Sequence, residues 1–222
     1  MLPRELIKLV AAIGALCFVT VVWSQNHGGA YVDGGLGMNI AQADTEATDP
    51  PDSLKGDVGK PNFAVRLGAG WRHDAGNMVF GVGFMLDPLA YDVNKEDDFN
   101  PPSSSSAKTE MKNHWAIGVD VGWKLAPATV FYGKLSYNSA KVESKFSQVG
   151  PALSYSWSNT HTGLGYGAGA RHMLSAKHYV FVDWHYVKFD SKTASPDPTN
   201  TTLDIKTTPS LNTGSIGMGW KF

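Results

Sequence analysis

Eight stretches of the sequence alternate between apolar and polar residues with a period of two, as β-strands with two different faces do. The connections between these stretches are short and long in strict turn. A transmembrane barrel has this rhythm because its periplasmic turns are short and its outer loops are long. A soluble barrel or sandwich has no reason to keep every second connection long. The pattern therefore predicts an all-β fold, an eight-stranded antiparallel up-and-down transmembrane β-barrel.

The predicted strands are long enough to cross a bilayer, which takes about 9–11 residues for a tilted strand. They are Ala30–Gln42, Asn62–His73, Met78–Tyr91, Asn113–Leu125, Thr129–Ala140, His161–Met173, His178–Asp190 and Leu211–Phe222. The short connections are Asp74–Asn77, Ala126–Ala128 and Leu174–Lys177, and the long ones are Ala43–Pro61, Asp92–Lys112, Lys141–Thr160 and Ser191–Ser210. An even number of strands puts both ends of the barrel on one side, which the short turns identify as periplasmic.

The N-terminal segment has the features of a cleavable signal peptide. Arg4 and Lys8 precede an apolar run, Leu9–Trp23, and the small residue Ser24 suits a cleavage site. A single membrane anchor is the alternative, but the run is shorter than the roughly 20 residues that span a bilayer. We expect residues 1–24 to be the signal peptide and residues 25–222 the barrel domain. Cleavage would remove Cys17, the only cysteine, so neither disulfides nor thiolate metal sites are expected.

Alternation alone does not distinguish a membrane barrel from a soluble one, because only the direction of the apolar face differs. Two further features favour the membrane barrel. The polar face is rich in glycine, which a narrow interior needs beside large charged side chains. Aromatic residues also cluster at one height near the periplasmic ends of the strands, as in a membrane-interface girdle. The predicted girdle consists of Trp71, Phe80, Trp123, Phe131 and Trp220.

The glycine-rich first strand, Tyr31–Asn39, and the ending Gly217–Phe222 carry a family resemblance. With the signal peptide and the eight-strand rhythm, they resemble the small outer-membrane barrels of the porin family: the OmpA transmembrane domain, OmpX, OmpW and the opacity-type proteins. The resemblance implies an outer-membrane location in contact with lipid and lipopolysaccharide. It also implies that the barrel assembly machinery reads the terminal strand, with a signal formed by Ile216, Met218, Trp220 and Phe222.

By parity, ten ionisable side chains are expected to point into the lumen. They are Asp33, Arg66, Arg72, Asp120, Lys124, Lys134, Arg171, Asp183, His185 and Lys221. Buried charges need partners, and an eight-stranded interior is only wide enough for side chains to fill it. Asp120 is expected to face Lys134 across one turn, and Arg171 to approach Asp183 diagonally across another. We therefore predict a charged network that fills the lumen.

The leading hypothesis for function is a non-enzymatic outer-membrane barrel with a structural or surface-interaction role, of opacity or OmpA-like type. Any extracellular partner is expected to bind through the long loops. The alternatives are a narrow channel for small or apolar solutes, as the resemblance to OmpW implies, and a soluble periplasmic barrel with an apolar interior. A barrel enzyme acting on lipid A is a remote alternative, because no serine follows His161 at the expected spacing. No cofactor or metal motif is present, and a formal net charge of −1 gives no case for nucleic acid.

Overall fold

The computed structural model describes residues 26–49, 52–93, 105–148, 153–194 and 204–222, all of them in strands, turns or short connections. The proposed signal peptide, residues 1–24, lies outside the described residues. No helix in the described part of the chain is long and apolar enough to cross a membrane. The strands are β1 (Gly29–Asp49), β2 (Asp52–Ala75), β3 (Met78–Asp87), β4 (Tyr91–Asp92), β5 (Ser105–Ala126), β6 (Thr129–Gln148), β7 (Leu153–Met173), β8 (His178–Phe189), β9 (Lys192–Ala194) and β10 (Asp204–Lys221).

Eight of these strands form a closed antiparallel barrel. Each pairs with its neighbour along the chain, and β1 also pairs with β10, in a register that runs from Tyr31 opposite Lys221 to Thr48 opposite Asp204. The short strands β4 and β9 lie outside this cycle, paired with β5 and β10. Closure removes the open edge, so that every backbone group in the hydrocarbon region has a partner strand.

The two faces of the wall are those of a membrane barrel. Large apolar side chains such as Leu36 and Ile117 point outwards and are 55% and 51% exposed, while Asp33 and Arg171 point inwards and are 9% and 3% exposed. A soluble barrel would bury the apolar face and expose the charges, so the structure excludes the soluble periplasmic alternative. The outward face needs lipid to cover it.

Among the described residues, most of the predicted loops Ala43–Pro61 and Lys141–Thr160 consists of paired strand. β1 and β2 continue as a paired hairpin as far as Asp49 opposite Asp52, and β6 and β7 as far as Gln148 opposite Leu153. Conversely, β3 ends at Asp87, before Pro88, and β8 ends at Phe189. Hydrophobic periodicity missed the extensions because, beyond the membrane, both faces of a hairpin are free to be polar and the alternation disappears.

Candidate functional site

The periplasmic mouth of the lumen is crossed by the residues that precede β1. The backbone N–H of His27 donates to Asp74 at 2.8 Å, and its ring Nε2 lies 3.1 Å from the carbonyl oxygen of Pro127. Lys124 contacts both carboxylate oxygens of Asp74, at 2.6 and 2.7 Å. Lys221 donates to the Asn26 carbonyl oxygen at 2.5 Å. The predicted lumen residues Lys124 and Lys221 therefore close this end of the barrel and do not join the central network.

Acid is expected to destabilise this periplasmic closure through His27. Burial, opposed in part by the hydrogen bond to Pro127, lowers the pKa of His27 from 6.5 to about 4. Between these two pH values, the His27 imidazole is protonated in the unfolded chain and neutral in the folded chain. The free energy of unfolding should therefore fall as the pH drops from about 6.5 to about 4, and His27 should not change it above that window. Thermal midpoints across this range, compared with those of His27→Gln, check this. Parallel pH profiles for the two proteins would contradict it.

Above the mouth, an arginine is held between two tyrosine rings. The guanidinium of Arg72 lies 3.5 Å from the ring centre of Tyr31 and 4.9 Å from that of Tyr179. Asp33 lies 3.7 Å from Arg72 and accepts a hydrogen bond of 2.9 Å from the Tyr179 hydroxyl. The tyrosines thus desolvate the Arg72 charge and supply cation–π attraction in place of water.

Asp183 is the centre of the charged network. Its carboxylate binds Arg66 at 2.8 Å and Lys134 at 2.5 Å, and it accepts a hydrogen bond of 2.8 Å from the Tyr132 hydroxyl. Beside this group, Arg171 binds Asp120 at 2.8 Å, and its guanidinium lies 4.2 Å from the Tyr132 ring centre. These side chains come from five different strands, so the network ties the barrel together across its axis.

The expected ion pairs across neighbouring strands are wrong, although the register behind one of them is present. Asp120 and Lys134 are opposite each other in the ladder, yet Asp120 binds Arg171 and Lys134 binds Asp183, and each of these partners lies two strands away. Lys134 crosses over Gly167 of β7, where an added Cβ would stand 2.7 Å from the Lys134 side chain. Long side chains in a narrow lumen converge towards the axis, so ladder position does not decide the partner.

A chain of hydrogen bonds spans the lumen above the charged network. Asp87 lies 2.6 Å from His114, which lies 3.2 Å from Asn138 through its other ring nitrogen. Asn138 donates to the Ser136 hydroxyl at 2.9 Å, and that hydroxyl lies 2.8 Å from His185. Of these, only His185 belongs to the predicted lumen set. Asp87, His114 and Asn138 share the inward parity of their strands, which was the signal available in the sequence.

The outer end of the lumen is filled by apolar side chains, which the sequence reading did not anticipate. The cluster consists of Ala41, Ala43, Ala64, Tyr91, Val93, Met111, Ala140, Val142, Val187, Phe189 and Leu211. Below it, a cavity of about 70 Å³ borders Arg66, Asp120 and Lys134. Ligand pockets usually measure about 300–1,000 Å³. This cavity is therefore smaller than a usual ligand pocket.

The predicted girdle and terminal-signal residues all lie on the outer wall. The girdle residues Trp71, Phe80, Trp123, Phe131 and Trp220 are 42–55% exposed, and Trp123 is the cross-strand partner of Phe131. Ile216, Met218, Trp220 and Phe222 share the outward face at the barrel seam. Within the described residues, no group of three histidines, cysteines or carboxylates could hold a metal ion.

A family model described as the outer membrane protein beta-barrel domain matches residues 9–222. The chain belongs to this outer-membrane β-barrel family. Its location is accordingly the outer membrane, and its apolar outer wall faces lipid. None of the curated proteins compared with this chain matches it significantly.

Solved structures of other outer-membrane proteins are similar to this chain. The outer membrane protease OmpT of Escherichia coli is 10% identical, with a TM-score of 0.53 over 92% of this chain and 99% of its own. OprG of Pseudomonas aeruginosa is 11% identical, with a TM-score of 0.52 over 90% and 99%. Ail, the attachment invasion locus protein of Yersinia pestis, is 15% identical, with a TM-score of 0.41 over 85% and 99%. At these identities the likeness to OmpT and OprG is one of fold.

The extracellular part of this family member carries a regular arrangement of charge on β5 and β6. Going outwards, Lys112 lies opposite Lys141, Glu110 opposite Glu143, and Lys108 opposite Lys145. We call these six residues the charge ladder. The intervening Met111 and Val142 are buried in the lumen cluster, which places the charge ladder on the outer face of the wall.

Proposed function

We propose that this outer-membrane barrel is a non-conducting, non-enzymatic scaffold with a structural or surface-interaction role, of the kind associated with opacity and OmpA-like proteins. The observation that carries the proposal is the lumen, which is filled in successive layers from His27 at the periplasmic mouth to the apolar cluster at the outer end. A barrel that neither conducts nor holds a ligand-sized pocket acts through its surfaces.

The extracellular hairpins support the surface role. Beyond the membrane-spanning part, β1 pairs with both β2 and β10, and β6 pairs with both β5 and β7. Paired strands hold their side chains in a fixed register, unlike loops without secondary structure. Such a scaffold presents binding residues at low entropic cost.

The proposal predicts no stable single-channel conductance when the purified, folded protein is inserted into planar bilayers. An eight-stranded interior filled by side chains leaves no continuous aqueous path. Heat-modifiable gel mobility establishes that the inserted protein is folded. Stepwise, long-lived conductance would contradict the closed barrel.

Liposome uptake assays separate the scaffold from a narrow channel. The scaffold predicts that uptake of a small sugar and of a small apolar solute equals that of protein-free liposomes, whereas a narrow channel predicts uptake above that level. Mass analysis of lipid A from cells with and without the protein tests the enzymatic alternative, and an altered lipid A would overturn the non-enzymatic assignment.

A further inference from the structure

The charge ladder is an ordered array of ion pairs. Lys112 bridges both glutamates, at 2.9 Å to Glu110 and 2.7 Å to Glu143. Lys108 binds Glu110 at 2.7 Å, and Lys141 binds Glu143 at 2.8 Å. Like charges that face each other across a strand pair repel, so each row depends on the oppositely charged row beside it.

Within the charge ladder, positive charge is in excess, although Lys108 also lies 3.9 Å from the carboxylate of Asp92. Four lysines stand against two glutamates, which leaves a formal excess of two positive charges. Hydrogen bonds from Lys112 and Lys141 lower the pKa of Glu143 to about 2. Those from Lys108 and Lys112 lower the pKa of Glu110. Both carboxylates therefore remain ionised at physiological pH, and small changes in pH leave the charges of the ladder unchanged.

The charge ladder begins directly above an aromatic cluster on the lipid-facing wall. Trp115 lies 6.3 Å, between ring centres, from both Phe84 and Tyr137. Aromatic residues on the outer wall of membrane barrels mark the interface with the lipid headgroups. Lys112 and Trp115 pair with Lys141 and Ser139, which are two residues apart on β6 and therefore about 7 Å apart along the strand. The lowest lysine row thus stands at the level of the outer-leaflet headgroups.

A bulge separates the aromatic cluster from the lysine row. The register of β5 on β6 shifts between Lys112 and Trp115, and Asn113 has a left-handed backbone with φ of 53°. Bulges re-aim the side chains that follow them. In a regular strand, Lys112 and Trp115 would face opposite sides because they are an odd number of residues apart. The bulge brings both side chains to the outer wall, with Lys112 beside Lys141.

We propose that the charge ladder binds the phosphate groups of lipopolysaccharide in the outer leaflet. The lowest row, Lys112 and Lys141, meets the phosphates nearest the hydrocarbon, while the aromatic cluster below packs against the acyl chains. The upper row, Lys108 and Lys145, meets anionic groups further out on the same molecule. The rows on one strand pair suit a ligand that carries anionic groups at successive heights above the membrane. This inference requires the outer-membrane location and is independent of whether the lumen conducts.

The experiment compares ligands first, with the wild-type protein folded in nanodiscs. The probes are lipopolysaccharide and the same lipopolysaccharide after chemical dephosphorylation. We expect removal of the phosphates to weaken binding by about tenfold or more. Equal affinity for the two forms would overturn the proposal. Vesicles of phosphatidylglycerol that bind as strongly as phosphorylated lipopolysaccharide would also overturn it, because they would indicate attraction to any anionic lipid. This comparison needs no variant that has to fold.

Variants then locate the site. Lys112→Gln/Lys141→Gln is expected to bind phosphorylated lipopolysaccharide as weakly as the wild type binds the dephosphorylated form. The matched control, Lys177→Gln/Lys192→Gln, removes the same charge from the periplasmic turn and from β9 and should bind as the wild type does. Heat-modifiable mobility verifies the fold of each variant. An equal loss of affinity in both double variants would place the binding outside the charge ladder.

Discussion

Replacement of Asp183 by alanine is expected to lower the free energy of unfolding by about 3–5 kcal/mol, the cost of leaving a buried charge without its partner. Asp183 accepts contacts from Arg66, Lys134 and Tyr132 and is 4% exposed. Its removal leaves two cations close together in the lumen with no carboxylate between them. The thermal midpoint of the folded, fast-migrating form in detergent measures the loss.

The matched control is Asp44→Ala, on the exposed part of β1. It removes the same carboxylate from a solvated position, where single charges contribute about 0–1 kcal/mol. Equal losses in the two variants would show that the network around Asp183 does not stabilise the barrel.

A triple replacement separates the stability that the ion pairs contribute from the cost of leaving a buried charge unpaired. In Asp183→Leu/Arg66→Met/Lys134→Met all three charges are gone, and apolar side chains fill a similar volume. Because no unpaired ion remains, we expect this variant to regain most of the stability that Asp183→Ala loses.

Gly219→Ala is expected to destabilise the barrel by about 1–3 kcal/mol through overpacking. A Cβ on Gly219 would overlap the ring of Tyr179. That ring is 1% exposed, lies under Arg72 and donates its hydroxyl to Asp33, so it has no space to move aside. The same thermal assay measures the effect, and a drop in the folded fraction after refolding into detergent is expected with it.

Gly214→Ala on the same strand is the matched control. Gly214 faces outwards, and an added Cβ there has no atom within 4 Å. We expect unchanged or slightly higher stability, because alanine restricts the unfolded chain more than glycine does. If Gly219→Ala were as stable as Gly214→Ala, the lumen would have to be less tightly filled than its side chains indicate.

The wall of the barrel could be predicted from the sequence because it depends on local rules. Side chains alternate with a period of two, so the outward positions of Leu36, Ile117 and Trp220 follow once the strands are located. The strand starts at Met78, Thr129 and His178, each after a short turn, also match the structure. The length of the extracellular hairpins could not be predicted in this way, because outside lipid neither face has to be apolar.

The lumen was predicted only in part. All ten predicted ionisable residues lie on the inward face, but the partners of Asp120 and Lys134 follow from packing across the axis. The hydrogen-bonded chain from Asp87 to His185 and the apolar cluster around Tyr91 and Phe189 lie above the charges. A period of two identifies the side that a residue faces and carries no information on which inward residues meet.

By itself, the sequence determined that this chain is a β-barrel with an apolar outer wall, because the pleat of a strand converts alternation directly into two faces. Only the tertiary structure decided that apolar side chains fill the outer end of the lumen, which partners the lumenal charges take, and that six charges on β5 and β6 form a ladder on the outer wall. The direction in which a side chain faces is a property of a single strand. How side chains fill the lumen and which charges pair there depend on the curvature and shear of the barrel, and on the glycines that let side chains cross a neighbouring strand.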